Sequence, residues 1–182
     1  AKTAKQSVDN KQVLDLDQFR SLKVHDVTYD HLKDKNSTGF SLGPISYEFK
    51  AGNLYFIKGT NGSGKTTFMR ILTGLYKPSG GYISVNDIKI EQPASSSYRD
   101  LFTVVFSDFY LFTKLYGLFD VPDEEILSLQ KLLEIEKKFS INDGKFSHIQ
   151  LSTGQRKRIA LLVAMLENRD IIVLDEWAAD QD

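Results

Sequence analysis

Gly59-Thr60-Asn61-Gly62-Ser63-Gly64-Lys65-Thr66 is the stretch that decides the fold. It matches G-x-x-x-x-G-K-[ST] in full, and each residue type has a chemical reason. The glycines let backbone N–H groups wrap an anionic phosphate chain with no Cβ in the way. A helix expected from Thr66 to about Leu75 aims its N-terminal partial positive charge at the same phosphates. Lys65 is suited to reach the β- and γ-phosphates, and the Thr66 hydroxyl to ligate Mg2+. Thr67 follows on the same turn and joins Gly59–Thr66 as a nucleotide-binding candidate. Upstream, Leu54-Tyr55-Phe56-Ile57 is a short apolar run of the buried-strand kind, which completes the strand–loop–helix order the pattern requires.

Strand-like segments lie on both sides of this core. Leu22 and Val24, then Val27 and Tyr29, recur at period two on either side of a slip, and Phe40–Phe49 reads as a second strand. Tyr82–Val85 and Ile88–Ile90 flank Asn86-Asp87, a hairpin signal. These are expected to form a separate antiparallel sheet. Further on come a short strand at Thr103–Phe106 and an amphipathic helix over Asp123–Phe139 carried by Ile126, Leu127, Leu129 and Leu133. A helix over Gln155–Glu167 and a last buried strand at Ile171–Leu174 follow. Strands alternating with helices indicate an α/β domain with a largely parallel sheet.

The last strand ends in Asp175-Glu176. At the carboxyl edge of a parallel sheet such a pair is expected beside the phosphate loop. Asp175 is suited to hold Mg2+ through water, and Glu176 to polarise the attacking water as general base. Glu176 and Lys65 are therefore the catalytic candidates.

Leu151-Ser152-Thr153-Gly154-Gln155 resembles the Leu-Ser-Gly-Gly-Gln signature of ABC proteins, with Thr153 in place of a glycine. Ser152 precedes a helix, so its hydroxyl and the helix N-terminus make a second anion site. The resemblance, which runs from about Ser21 to Asp182, implies a P-loop NTPase (RecA-like) core with an antiparallel β subdomain and a small helical subdomain. It implies ATP and Mg2+ as ligands, and a head-to-tail ATP-sandwich dimer. In that dimer Ser152, Gly154 and Gln155 cap the nucleotide on the partner's phosphate loop. Where most members carry a Gln after the strand at Val104-Val105, this chain has Ser107 beside Asp108, and either can ligate Mg2+ through water. Alignment puts His31 at the position that stacks on adenine in the family, and Tyr29 two residues earlier has the better π-face. The Arg156-Lys157-Arg158 run reads as the solvated face of its helix.

Four further strings are similar to the branch that exports cyclic or lasso peptides, microcins and peptide siderophores of the pyoverdine type. They are Glu176-Trp177-Ala178-Ala179-Asp180-Gln181-Asp182, Val105–Phe112, Phe40–Ile45 and Gly74-Leu75-Tyr76. The implied function is an ATPase powering an exporter at the cytoplasmic face of a bacterial inner membrane. A membrane-spanning domain is the implied partner, in the same polypeptide. The alternative is a soluble ABC-type ATP switch acting on a nucleoprotein. Against it, Ser152 lies only 87 residues beyond Lys65 (152 − 65), too few for a coiled-coil insertion.

The chain has 182 residues, enough for one domain with a core. A formal net charge of −1 offers nothing to nucleic acid, and the absence of cysteine excludes disulfides, thiol nucleophiles and cysteine metal sites. No run approaches the ~18 apolar residues of a membrane helix. Residues 1–20 read as a linker from an upstream membrane domain, and 21–182 as a nucleotide-binding domain truncated at its C-terminus before the switch histidine that the family carries.

Overall fold

A computed structural model describes residues 18–30, 39–91, 93, 95–118, 120–147 and 151–177. The chain forms two compact units, residues 1–100 and 101–182.

In the first unit a four-stranded antiparallel sheet runs β2 (Ser41–Lys50), β1 (Ser21–Asp30), β3 (Gly80–Val85), β4 (Ile88–Lys89). The slip expected in the first strand is a register shift between Val24 and Val27, beside Asp26 at φ 45. It turns Leu22, Val24 and Val27 all into the core, where strict alternation would have sent Val27 to the other face. The β3–β4 turn is the expected one, since Asn86 and Asp87 both take positive φ, as a two-residue hairpin of this hand demands. Asn86 also ties the strand ends together: its side-chain oxygen accepts from the Arg20 and Ser21 N–H groups.

The helix after the phosphate loop is α1 (Lys65–Leu72). It stops short of Leu75 because Gly74 takes φ 72. That conformation lets the Leu75 N–H reach back to the Arg70 carbonyl, the Schellman closure in which glycine avoids a Cβ penalty. The space there is tight, since a Cβ on Gly74 would lie 2.0 Å from the Pro93 carbonyl oxygen. A short helix not foreseen, α2 (Ser96–Arg99), buries Tyr98 completely and donates its hydroxyl to the Leu72 carbonyl at the end of α1.

Leu54–Ile57 departs from expectation and is not a strand. A strand exists by pairing, and the four strands of this unit pair only among themselves. Leu54 and Phe56 are accordingly 80% and 77% exposed. Tyr55 anchors the segment: its hydroxyl accepts from the Lys50 N–H, and its ring meets Tyr47 and Phe49 edge-on.

In the second unit β5 (Phe102–Val105) pairs in parallel with β8 (Ile171–Leu174), in register Phe102↔Ile171 to Val105↔Leu174. The expected parallel sheet is thus present as two strands among the described residues. Helices α3 (Asp123–Leu132) and α4 (Thr153–Leu166) and the small hairpin β6 (Ile141–Asn142)–β7 (Lys145–Phe146) surround a core that includes Ile126, Ile135, Phe139, Phe146, Ile159 and Leu162. α3 is shorter than the apolar spacing suggested. Glu134 at φ 56 ends it, and the Ile135 N–H bonds back to the Gln130 carbonyl. Ile135 and Phe139 still enter the core, from beyond the helix, so the apolar period runs on to Phe139. Leu127 faces solvent, and Gln130 is buried instead, its side-chain amide donating to the Phe139 carbonyl.

Candidate functional site

The phosphate loop leads from the exposed 54–58 segment into α1. Gly64, the N-cap, sits at φ 93, and Gly62 at φ 78, conformations that residues with a Cβ resist. The loop is also closed sterically. A Cβ on Gly59 would lie 2.4 Å from Ser63 Oγ, and one on Gly64 would lie 2.7 Å from Phe40 Cζ and 2.9 Å from Leu42 Cδ1. Phe40 and Leu42, which the sequence did not single out for this, therefore pack against the α-carbon at the point where the loop becomes helix. The Ser63 N–H bonds the Thr60 carbonyl, and the Phe68 N–H opens the helical ladder on the Gly64 carbonyl. Lys65 folds its side chain back so that Nζ donates to the carbonyl oxygens of Gly59 and Thr60, at 3.0 and 3.0 Å. Asn61 lies at the exposed crest of the loop, and Thr66 and Thr67 occupy the first turn of α1. A helix N-terminus behind a glycine cradle is a site for an anion with several oxygens.

Tyr29, on β1, stacks on Tyr76 with ring centroids 5.4 Å apart and planes 15° from parallel. Arg70 of α1 donates to the Tyr76 hydroxyl and lies over its ring. One face of Tyr29 is thus committed to a protein partner, and only the other is left for a base. His31 lies outside the described residues.

In the second unit, parallel pairing brings the ends of β5 and β8 to one edge. Ser107 and Asp108 form the exposed turn after β5. Asp175 and Glu176 follow β8, with the Asp175 N–H bonded to the Val105 carbonyl. The two carboxylates part company there: Asp175 is 3% exposed, whereas Glu176 faces solvent from a backbone at φ 51.

At the start of α4, Ser152 and Gln155 form a capping box. The Gln155 N–H donates to Ser152 Oγ at 3.3 Å, and the Ser152 N–H to Gln155 Oε1 at 3.1 Å. Ser152 and Thr153 are exposed and Gly154 half-buried, so the helix presents its N-terminus to solvent.

The basic run that follows does not form a solvated face. Lys157 is 4% exposed, and its Nζ donates to the Glu176 carbonyl at 2.9 Å. Arg156 lies over the Phe109 ring, and Arg158 donates to the Leu133 carbonyl. The place of Lys157 beside Glu176 was hidden by charge alone, because a lysine on a helix reads as exposed until its partner is known.

Both ligands implied by these motifs fit the residues present. A Cβ on Gly62 would meet nothing within 4 Å, so the loop is open there to an anion. Mg2+ keeps several waters and takes one or two protein oxygens besides phosphate. A hydroxyl such as that of Thr66 in the first unit is an oxygen of that kind, as is a buried carboxylate such as Asp175 in the second, and among the described residues no cluster of three acidic, His or Cys side chains could cage a metal alone.

Comparison with known proteins bears directly on these features. The family model for ABC transporters matches residues 42–179. The ATP-binding protein SyrD of Pseudomonas syringae pv. syringae is 39% identical over 96% of this chain and 32% of its own length. The β-(1→2)glucan export ATP-binding/permease protein NdvA of Bartonella bacilliformis is 34% identical over 89% of this chain and 29% of its own. The nisin transport ATP-binding protein NisT of Lactococcus lactis subsp. lactis is 29% identical over 98% and 33%. A bacterial Atm1-family ABC exporter with ATP bound shares the fold, with a TM-score of 0.76 at 23% identity over 97% of this chain and 32% of that one. The chain therefore spans about a third of the length of these relatives. With its phosphate loop, signature segment and acidic strand end all lying within this match, the chain belongs to the ABC transporter family, as an ATP-binding domain.

Proposed function

We propose that this domain powers an exporter of peptides or peptide siderophores, working as one half of a head-to-tail dimer that encloses ATP. The observation that carries the reading is the exposed, serine-capped N-terminus of α4, a second anion site separate in sequence from the phosphate loop. An ATPase that closed on its nucleotide alone would not need it. A partner's γ-phosphate accounts for it.

In this reading the loop Gly59–Thr66, with Thr67, holds the triphosphate, and Lys65 leaves the Gly59 and Thr60 carbonyls for the β- and γ-phosphates. Thr66 would hold Mg2+, which would supply charge neutralisation on the phosphates, and the further candidate ligands are Asp175 and, through water, Ser107 or Asp108. Glu176 takes the proton of the water that attacks the γ-phosphorus, and ADP departs. Tyr29 stacks on adenine with the ring face that Tyr76 does not cover. Ser152, Gly154 and Gln155 serve the partner's nucleotide. Residues 1–20 link to a membrane-spanning domain, which places the ATPase at the cytoplasmic face of the inner membrane. No helix among the described residues is long and apolar enough to cross a membrane. The peptide branch is favoured by the similarity to a nisin transport protein.

The test is Glu176→Gln in the complete protein that carries this chain. Hydrolysis should fall about 100- to 10,000-fold, the range for loss of a general base, while ATP still binds and a closed dimer accumulates on size exclusion. Turnover near that of the wild type would remove Glu176 from the role, and a variant that binds ATP but stays monomeric would remove the sandwich.

A further inference from the structure

We infer that Lys157 is a positioning residue for Glu176, coupling the signature helix α4 to the group that activates water. The inference rests on the reading of Glu176 as the base.

A buried lysine costs stability unless its amino group is bonded, and an apolar side chain of similar volume would fill the same space at lower cost. Lys157 is buried in α4, the helix that also buries the ordinary apolar core residues Ile159 and Leu162. Its Nζ is directed at one backbone atom of the acidic pair, the Glu176 carbonyl oxygen, at 2.9 Å. That carbonyl belongs to a residue with a Cβ at φ 51, a sparsely populated conformation that persists where its surroundings over-determine it. Two bonds bracket the spot. The Asp175 N–H is held by the Val105 carbonyl of the neighbouring strand, and the Glu176 carbonyl is held by Lys157. The consequence is the divergence of the two carboxylates, Asp175 inward and Glu176 outward.

The same helix begins at Ser152, five residues before Lys157 (157 − 152). Little more than one turn of hydrogen-bonded backbone thus separates the proposed γ-phosphate cap from the lysine that holds the base. An anion drawn onto the α4 N-terminus acts on Glu176 through a single rigid element. Hydrolysis is then linked to occupation of the signature site.

The experiment compares Lys157→Met, Lys157→Gln and Glu176→Gln in the complete protein. Met keeps length and apolar bulk but removes the donor. Gln restores an N–H donor one bond nearer the backbone. Displacing a reacting group by about 1 Å costs up to ~100-fold in rate, so K157M should lower kcat on the order of 10- to 100-fold. KM for ATP and Tm should stay near wild type. K157Q should recover part of the loss, and K157M should add nothing in the E176Q background, because the two residues act as a unit. A K157M protein with wild-type kcat beside an inactive E176Q overturns this inference alone. A loss that appears equally in KM and Tm, with no recovery in K157Q, also overturns it, since packing would then suffice. Near-normal turnover of E176Q overturns both this inference and the reading beneath it.

Discussion

Replacing Gly64 by alanine is the sharpest probe of how the phosphate loop is held. Gly64 stands at φ 93, and a Cβ there would meet Phe40 Cζ at 2.7 Å and Leu42 Cδ1 at 2.9 Å. Two costs follow. The left-handed backbone costs alanine about 1–2 kcal/mol more than glycine. Moving two side chains off their rotamers to make room costs about 0.5–1.5 kcal/mol each. Together these come to about 2–5 kcal/mol, which the loop can relieve by leaving the conformation that points its N–H groups at phosphate. ATP must then restore it, and at ~1.4 kcal/mol per tenfold the affinity should drop by about 30-fold or more. Calorimetric titration with ATP measures this directly. Adding Phe40→Ala should recover about 2- to 10-fold by removing the ring, and no more, because the backbone term remains. Gly52→Ala is the control. It has a similar φ of +73 but nothing within 4 Å, so it should leave ATP affinity unchanged. G64A binding within threefold of wild type would refute the argument that Phe40 and Leu42 clamp the loop.

Two stability predictions are independent of nucleotide. Tyr98→Phe removes a buried hydroxyl bonded to the Leu72 carbonyl and should cost about 1–3 kcal/mol in urea unfolding with an unchanged m-value; an unchanged midpoint would show that the bond contributes nothing net. On the sheet surface, the hydrogen bond from Lys23, 2.6 Å away, holds the Asp87 carboxyl below its ordinary 3.8. A depressed folded-state pKa gives stability that is present above 3.8 and lost as pH falls through the lower folded value. Asp87→Asn should therefore be less stable than wild type near neutrality and equal to it in strong acid; a gap that persists at the lowest pH would mean the charge is not its cause.

Local chemistry made much of this molecule legible in sequence. Asn86-Asp87 needs positive φ, and a two-residue hairpin supplies it. The G-x-x-x-x-G-K-[ST] run needs a helix behind it, and α1 begins at Lys65. Ser152 three residues ahead of Gln155 is a capping box before it is anything else, and α4 starts there. Features set by pairing or tertiary contact were not legible. An apolar run such as Leu54–Ile57 has the same composition paired or unpaired, so its unpaired, exposed state could not be read from it. Ile135 and Phe139 continue the period of α3 after the helix has ended, because the core they enter repeats at nearly the helical spacing. Lys157 looks like its neighbours Arg156 and Arg158, and only the fold shows that it is inside and bonded to Glu176. Phe40 reads as a strand residue, and its place against Gly64 depends on where β2 begins relative to the loop.

ATP binding by the complete protein and its Lys65→Ala variant, measured by equilibrium titration with Mg2+ present, tests the central claim most directly. The loop assignment predicts that the variant loses most of its affinity, since a charge-assisted bond to phosphate contributes about 1.5–3 kcal/mol, a loss of roughly 10- to 150-fold. Equal affinity in the two proteins, with both folded, would contradict the assignment of Gly59–Thr66 as the nucleotide site.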